Sequence, residues 1–177
     1  MSVSELSTST QNYLKAIWGL KEWSSEPVTA TLIAKQLGLK LSSVSDAVRK
    51  MAKQGLVSHT PYGSVELTEL GRQYALVMVR RHRLLESFLV QALGYTWDEV
   101  HNEAENLEHA VSDMLIERVD KFLDYPTRDP HGDPIPTVDG QITIPSAHRL
   151  TDSGAQSQVT VERISDSDQQ LLKFLEE

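Results

Sequence analysis

The amino-acid sequence predicts a mainly α-helical fold with one small β wing, and three observations predict it. Apolar residues recur at helical spacing through most of residues 10–124, with Gly and Pro punctuation and one pair of short alternating segments. Charge is divided: residues 10–83 hold 11 Lys/Arg against 5 Asp/Glu, and residues 84–177 hold 6 against 19. Between His101 and His109, two imidazoles and two carboxylates stand at spacings of four, seven and eight, which share one helix face. The net charge of −8 argues against a polyanionic partner until it is split. The first half can then face phosphate and the second can face cations. The chain has no cysteine, which excludes disulfides, thiolate zinc sites and thiol catalysis. No apolar run nears the roughly 18 residues that span a bilayer, and the polar N-terminus lacks a signal-peptide core. A cytoplasmic protein without a membrane partner is expected.

In chain order, hydroxyls from Ser7 to Thr10 can cap a helix carrying Tyr13, Leu14, Ile17, Trp18 and Leu20, running to about Trp23. Thr29 or Thr31 can cap a second through Leu37, ended by Gly38. Ser42 and Ser43 start a third with Val44, Ala47, Val48 and Met51 inward, closed by Gly55. Two short helices around a tight Gly turn match a helix-turn-helix. Leu56 to Thr60 and Val65 to Thr68, alternating on either side of Pro61-Tyr62-Gly63, read as a β-hairpin, which makes the unit a winged helix. The outward residues of the third helix are short polar groups followed by cations: Ser42, Ser43, Ser45, Asp46, Arg49 and Lys50. That is the order of a recognition helix, and with Lys40 before it and Tyr62 in the wing these are the candidate DNA-binding residues.

Thr68 caps a long fourth helix, Glu69 to about Leu93, stopped by Gly94. Asp98 opens a fifth, whose apolar stripe Val111, Leu115, Val119 and Leu123 runs to about residue 124 and exceeds what one thin domain covers, so a subunit interface is expected. His82 and Glu86 repeat the i, i+4 geometry of the His101–His109 stripe, and this group of six suits a divalent metal better than a core. Four prolines between Pro126 and Pro136 predict an extended connector. Beyond residue 141, Gln158 to Arg163 alternate like a strand and Gln169 to Leu175 read as a short helix. Too little to bury a core, this tail either docks on the body or begins a third domain, and the second reading is preferred.

With these residues in view, the chain resembles the diphtheria-toxin-repressor family of metal-dependent transcription regulators, in its manganese-responsive branch. The resemblance rests on Tyr13 to Trp18, on Ser42 to Met51 with Gly55 to Val57 and the wing, and on Arg81 to Glu86 with His101 to His109 and Pro130 to Pro136. It implies a winged helix-turn-helix over residues 1–74 and a helical dimerisation and metal-binding domain over 75–140. Residues 141–177 would be a connector and the start of an SH3-like β domain. It further implies a homodimer on double-stranded operator DNA that represses metal-uptake genes, with no enzymatic activity and no small-molecule substrate. By position, the primary metal site would use Asn12, Glu105, Glu108 and His109, and the ancillary site His82, Glu86 and His101. Glu105 and Asn12 stand where iron-type members place Cys and Met. Hard oxygen in place of sulfur suits Mn²⁺, with Fe²⁺, Co²⁺, Zn²⁺ or Cd²⁺ as substitutes. Acids at Glu162, Asp166 and Asp168 are candidate ligands from the tail.

Two other readings compete. A metal-independent winged-helix regulator of a small organic ligand would leave the His/Glu cluster as surface. A di-metal carboxylate enzyme needs Glu-x-x-His on two helices, and that pattern does not occur here.

Overall fold

The computed structural model describes residues 3–60, 63–165 and 169–176. Its helices are α1 (Thr8–Glu22), α2 (Ala30–Leu37), α3 (Leu41–Lys53), α4 (Glu69–Leu93), α5 (Trp97–Leu107), α6 (Asp113–Phe122) and α7 (Gln169–Glu176). One antiparallel pair, β1 (Val57–His59) and β2 (Val65–Leu67), sets Ser58 opposite Glu66. The chain forms two compact units, Met1–Val79 and Arg80–Glu177. No helix among the described residues is long and apolar enough to cross a membrane.

The first unit follows from its caps and inward faces. Ser7 accepts from the Thr10 amide at the start of α1, and Thr29 accepts from Leu32 at the start of α2. Gly38 ends α2 in the left-handed region (φ 64°), where a side chain would be strained. The third helix opens one residue earlier than its serines suggest. Lys40 is the N-cap residue without a side-chain cap bond, so Ser42 and Ser43 lie in the first turn instead of capping it. Leu14, Ile17, Ile33, Val44, Val48, Met51, Leu56, Val57 and Val65 bury one core behind the helix-turn-helix and its wing. β2 gains a further edge bond from the Val65 amide to the Val28 carbonyl, 2.8 Å. At the junction of β1 and α4, Thr68 Oγ1 bonds the Gly55 and Leu56 carbonyls, and a Cβ on Gly71 would lie 1.9 Å from the Leu56 oxygen. Gly71→Ala should therefore destabilise this unit by about 1–3 kcal/mol as overpacking. Urea unfolding checks this, with an unchanged midpoint as the contrary result.

In the second unit the long fifth helix of the sequence reading divides. α5 ends at Leu107 with Glu108 as C-cap, and Ser112 caps α6 by accepting from the Leu115 amide. The competing N-cap signal at Ser112 divides the apolar stripe, and Val111 falls in the break. Thr96, not Asp98, precedes the first turn of α5; its amide donates to Glu99 Oε2 at 3.2 Å. Leu84, Leu85, Leu89, Val100, Ala104, Ile116, Val119 and Ile135 form the core. Met114 and Phe122 on α6 stay more than 60 % exposed.

The proline segment also departs from the extended connector. The Asp129 amide donates to the Asp133 carbonyl and Gly132 turns the chain at φ 91°, so residues 128–134 form a tight loop with Asp129, His131 and Asp133 buried. Residues 158–163 make no strand. The tail docks on the second unit's body. The Ile164 amide donates to the His131 carbonyl at 2.9 Å, Arg128 pairs with Glu162 at 2.6 Å, and Leu172 of α7 is fully buried where α7 packs on α5. A Cβ on Gly132 would lie 2.1 Å from the Glu162 carbonyl oxygen, so the loop and this strap need glycine there.

Candidate metal centre and nucleic-acid interface

The middle of α4 carries Arg80-Arg81-His82-Arg83 and Glu86, which point into the second unit and supply its charged interior. Arg80 is held by Asp120 at 2.6 Å and by the Pro136 carbonyl at 2.7 Å. Arg81, almost fully buried, pairs with Asp113 at 2.6 Å. These pairs staple α4 to α6 and the proline loop, which fixes where His82 and Glu86 stand.

Both ring nitrogens of His82 face carboxylates. Nδ1 lies 2.6 Å from Glu108 Oε2 and 3.9 Å from Glu105 Oε2; Nε2 lies 3.0 Å from Glu86 Oε1. His101 Nδ1 is 3.3 Å from the same Glu86 oxygen and 3.2 Å from His82 Nε2, with the two rings edge to face. The other Glu86 oxygen, Oε2, turns to His131 Nδ1 at 3.9 Å. His131 Nε2 lies 3.2 Å from the Trp97 carbonyl. A carbonyl only accepts, so Nε2 carries the hydrogen, and Nδ1 is the nitrogen that faces Glu86.

Among the described residues three groupings result, each with its ligand atoms within 4.8 Å of one another: His82/Glu86/His101, His82/Glu105/Glu108 and Glu86/Asp129/His131. They share His82 and Glu86 and offer only nitrogen and oxygen. That donor chemistry fits a hard or borderline divalent cation.

The electrostatics agree. Burial raises the Glu86 carboxyl, but the charges of His82 and His131 and hydrogen bonds from His101 and His82 outweigh it and hold the group well below the ordinary carboxylate range. Asp129 is pushed the other way. Burial, then the neighbouring Glu86 and Asp133 charges, raise it well above the usual range, with Arg83 only partly opposing them. Arg83 lies 3.6 Å from both Asp129 and Asp133 and donates to the Pro134 carbonyl at 2.7 Å.

The structure thus brings together five of the seven residues assigned to metal: His82, Glu86, His101, Glu105 and Glu108. His109 Nε2 stands beside Glu108 Oε1 at 3.4 Å, outside the three groupings. Asn12, in the first unit, has a buried Oδ1 without a hydrogen-bond partner among the described residues. Of the tail acids, Glu162 is engaged by Arg128, and Asp166 and Asp168 lie outside the described residues. Asp129 and His131 went unassigned in the sequence reading. Their signal was present as acid, His and acid at alternate positions 129, 131 and 133, which an extended connector would have left in solvent.

In the first unit, α3 leaves the candidate DNA-binding residues Ser42, Ser43, Asp46, Arg49 and Lys50 exposed opposite buried Val44, Val48 and Met51, and Lys40 is exposed just before it. Ser45 is half-buried and its hydroxyl donates to the Leu41 carbonyl at 2.9 Å, which commits it to the helix. Tyr62 lies outside the described residues.

Comparisons with known proteins follow the same division. Residues 5–65 match the iron dependent repressor N-terminal DNA binding domain, and residues 68–137 match the iron dependent repressor metal binding and dimerisation domain. The chain is 40 % identical over 134 residues to the iron-dependent repressor IdeR of Mycobacterium bovis, covering 76 % of this chain and 58 % of that protein. It thus spans less than two thirds of the length of that relative. Among solved structures it is similar to a manganese-dependent transcriptional repressor in complex with manganese: 53 % identity, TM-score 0.90, covering 94 % of this chain and 77 % of that one. ScaR with bound Cd²⁺ is 34 % identical at a TM-score of 0.80 over the same shares. The family is one of transcriptional repressors and not of enzymes. With both of its domains matched in order and the His/carboxylate groupings standing in the second of them, the chain belongs to the iron-dependent repressor family, the diphtheria-toxin-repressor group of metal-dependent regulators.

Proposed function

We propose that this chain is a manganese-responsive repressor that binds operator DNA as a metal-activated homodimer and controls metal-uptake genes. The observation that carries the reading is the pair of Glu86 oxygens facing two different imidazole sets in a buried, all nitrogen-and-oxygen environment. Manganese is the weakest binder of the first-row divalent series and is favoured where sulfur is absent; Fe²⁺, Co²⁺, Zn²⁺ and Cd²⁺ are the expected substitutes. The residues proposed to hold the ion are Glu105, Glu108, His109 and Asn12 for the primary set and His82, Glu86 and His101 for the ancillary set. Asp129 and His131 extend the second. A bound divalent cation would supply positive charge among these acids, beside that of Arg83 and the imidazoles. Ion-bound chain gains operator affinity only so far as the DNA-competent state holds the ion more tightly than the other state does.

Exposed Met114 and Phe122 on α6 support a self-association surface. A two-fold dimer implies a near-palindromic operator with half-sites about 34 Å, or a multiple of that, apart. The test is selection of DNA from a random pool with Mn²⁺, followed by gel shift of the selected DNA with Mn²⁺, Zn²⁺ or chelator. Equal affinity with and without chelator would favour the metal-independent regulator.

Metal choice is expected to turn on Glu105. Glu105→Cys places sulfur in the grouping with His82 and Glu108 and should move the activation order from Mn²⁺ toward Fe²⁺, Co²⁺ and Zn²⁺. Metal titrations of both proteins check it, and an unchanged order would locate selectivity elsewhere.

A further inference from the structure

The exposed face of α3 contains one residue of the wrong charge for a phosphate-facing surface. At about 100° per residue, Ser42, Ser43, Asp46, Arg49, Lys50 and Lys53 form one face, and Asp46 falls near its middle, opposite the buried Val44, Val48 and Met51. A carboxylate there is repelled by DNA phosphates unless it has a donor to accept from. It has one within the helix: Arg49 Nη2 donates to Asp46 Oδ1, with both side chains 69 % exposed. A surface pair this exposed contributes little to stability, so folding alone does not account for it.

We propose that Asp46 and Arg49 act as one base-reading unit that specifies a G·C pair in each operator half-site. The inference rests on the operator-binding reading above and names how that surface selects sequence. In the major groove guanine presents two acceptors, N7 and O6, and cytosine presents the N4 donor. Arg49 has five N–H donors in a fixed fork, and the bond to Asp46 uses one of them, which orients the rest. Asp46 keeps its second oxygen, which can accept from cytosine N4. Donor and acceptor thus stand side by side, as the two edges of a G·C pair require. An A·T pair offers a methyl and an acceptor, O4, where Asp46 needs a donor. Ser42 and Ser43 beside the pair accept or donate with little discrimination, and Lys50 and Lys53 supply charge for phosphates.

The experiment measures the affinity of the full chain with Mn²⁺ for its selected operator and for every single base substitution of one half-site, at three salt concentrations. The parent, Asp46→Asn, Arg49→Ala and Lys50→Ala are compared. The parent should disfavour replacement of one G·C pair by about 10- to 100-fold. That discrimination should collapse in Arg49→Ala and fall in Asp46→Asn, with the other positions unchanged. Lys50→Ala should weaken all sequences alike and reduce the salt slope by about one. The proposal is overturned if Arg49→Ala behaves as Lys50→Ala does, which would make Arg49 a phosphate clamp. It is also overturned if Asp46→Asn strengthens binding uniformly with base preference intact. A parent that selects no sequence with Mn²⁺ would fail earlier and would refute the operator-binding reading itself.

Discussion

Glu86→Gln is expected to lower Mn²⁺ affinity by about 100-fold or more and to remove most of the metal-induced gain in operator affinity. Loss of a mere supporting partner of a metal ligand typically costs 10- to 100-fold, and Glu86 is proposed as a ligand shared by two groupings. The amide keeps the shape but removes the charge that His82, His101 and His131 surround. A second readout comes from acid unfolding of the ion-free protein. The folded Glu86 carboxyl is held below its unfolded value of about 4.3. Its stabilisation is therefore present above that pH and is lost as pH falls toward the lower folded value. The variant should lose this part of the acid limb. Calorimetric Mn²⁺ titration that finds parent-like affinity in Glu86→Gln would exclude Glu86 from the site.

Asp129→Asn should act in opposite directions on the ion-free and the metal-bound chain. The folded Asp129 carboxyl is raised above its unfolded value of about 3.9, by burial first and then by Glu86 and Asp133. Its favourable contribution is present below the unfolded value and lost as pH rises through the folded one, so ionising it in the folded chain costs stability. Asn keeps the Oδ1 acceptor for the His131 and Asp133 amides, both at 2.9 Å, and removes that charge. The ion-free Tm at pH 7 is expected to rise, whereas the rise on adding Mn²⁺ should shrink as a ligand candidate is lost. A lower ion-free Tm would mean that the Arg83–Asp129 pair outweighs the repulsion; an undiminished Mn²⁺ shift would remove Asp129 from the site. Sites of this kind trade stability for function because like charges held together are useful only when a cation joins them.

What could be read in the sequence was local. Ser7, Thr29, Gly38, Thr68 and Gly94 mark helix ends through bonds and backbone angles formed within a few residues, and α1, α2 and α4 lie where these residues put them. The i, i+4 pair His82 and Glu86 and the acids of α5 could be assembled because helical spacing alone brings each set together. The break at Ser112 was missed because its apolar stripe continues across it, so periodicity and capping gave opposite answers and the cap won. Asp129 and His131 were missed because their partner Glu86 is more than forty residues away, and only the fold of the proline loop joins them. The tail behaves in the same way: residues 158–163 alternate like a strand, but the bonds at Glu162 and Ile164 go to the proline loop.

Under the proposed function, a divalent ion in the Glu86-centred groupings switches DNA binding by this chain. Fluorescence anisotropy of a labelled, Mn²⁺-selected operator, titrated with parent and with Glu86→Gln in buffered Mn²⁺ and in chelator, tests it most directly. Operator affinity of the parent is expected to be at least about 100-fold higher in Mn²⁺ than in chelator, a population shift of about 2.7 kcal/mol or more. Glu86→Gln is expected to lose most of that gain and to bind in Mn²⁺ close to its affinity in chelator. Parent affinity that is the same in chelator as in Mn²⁺, or a Glu86→Gln protein that Mn²⁺ still activates fully, would contradict it.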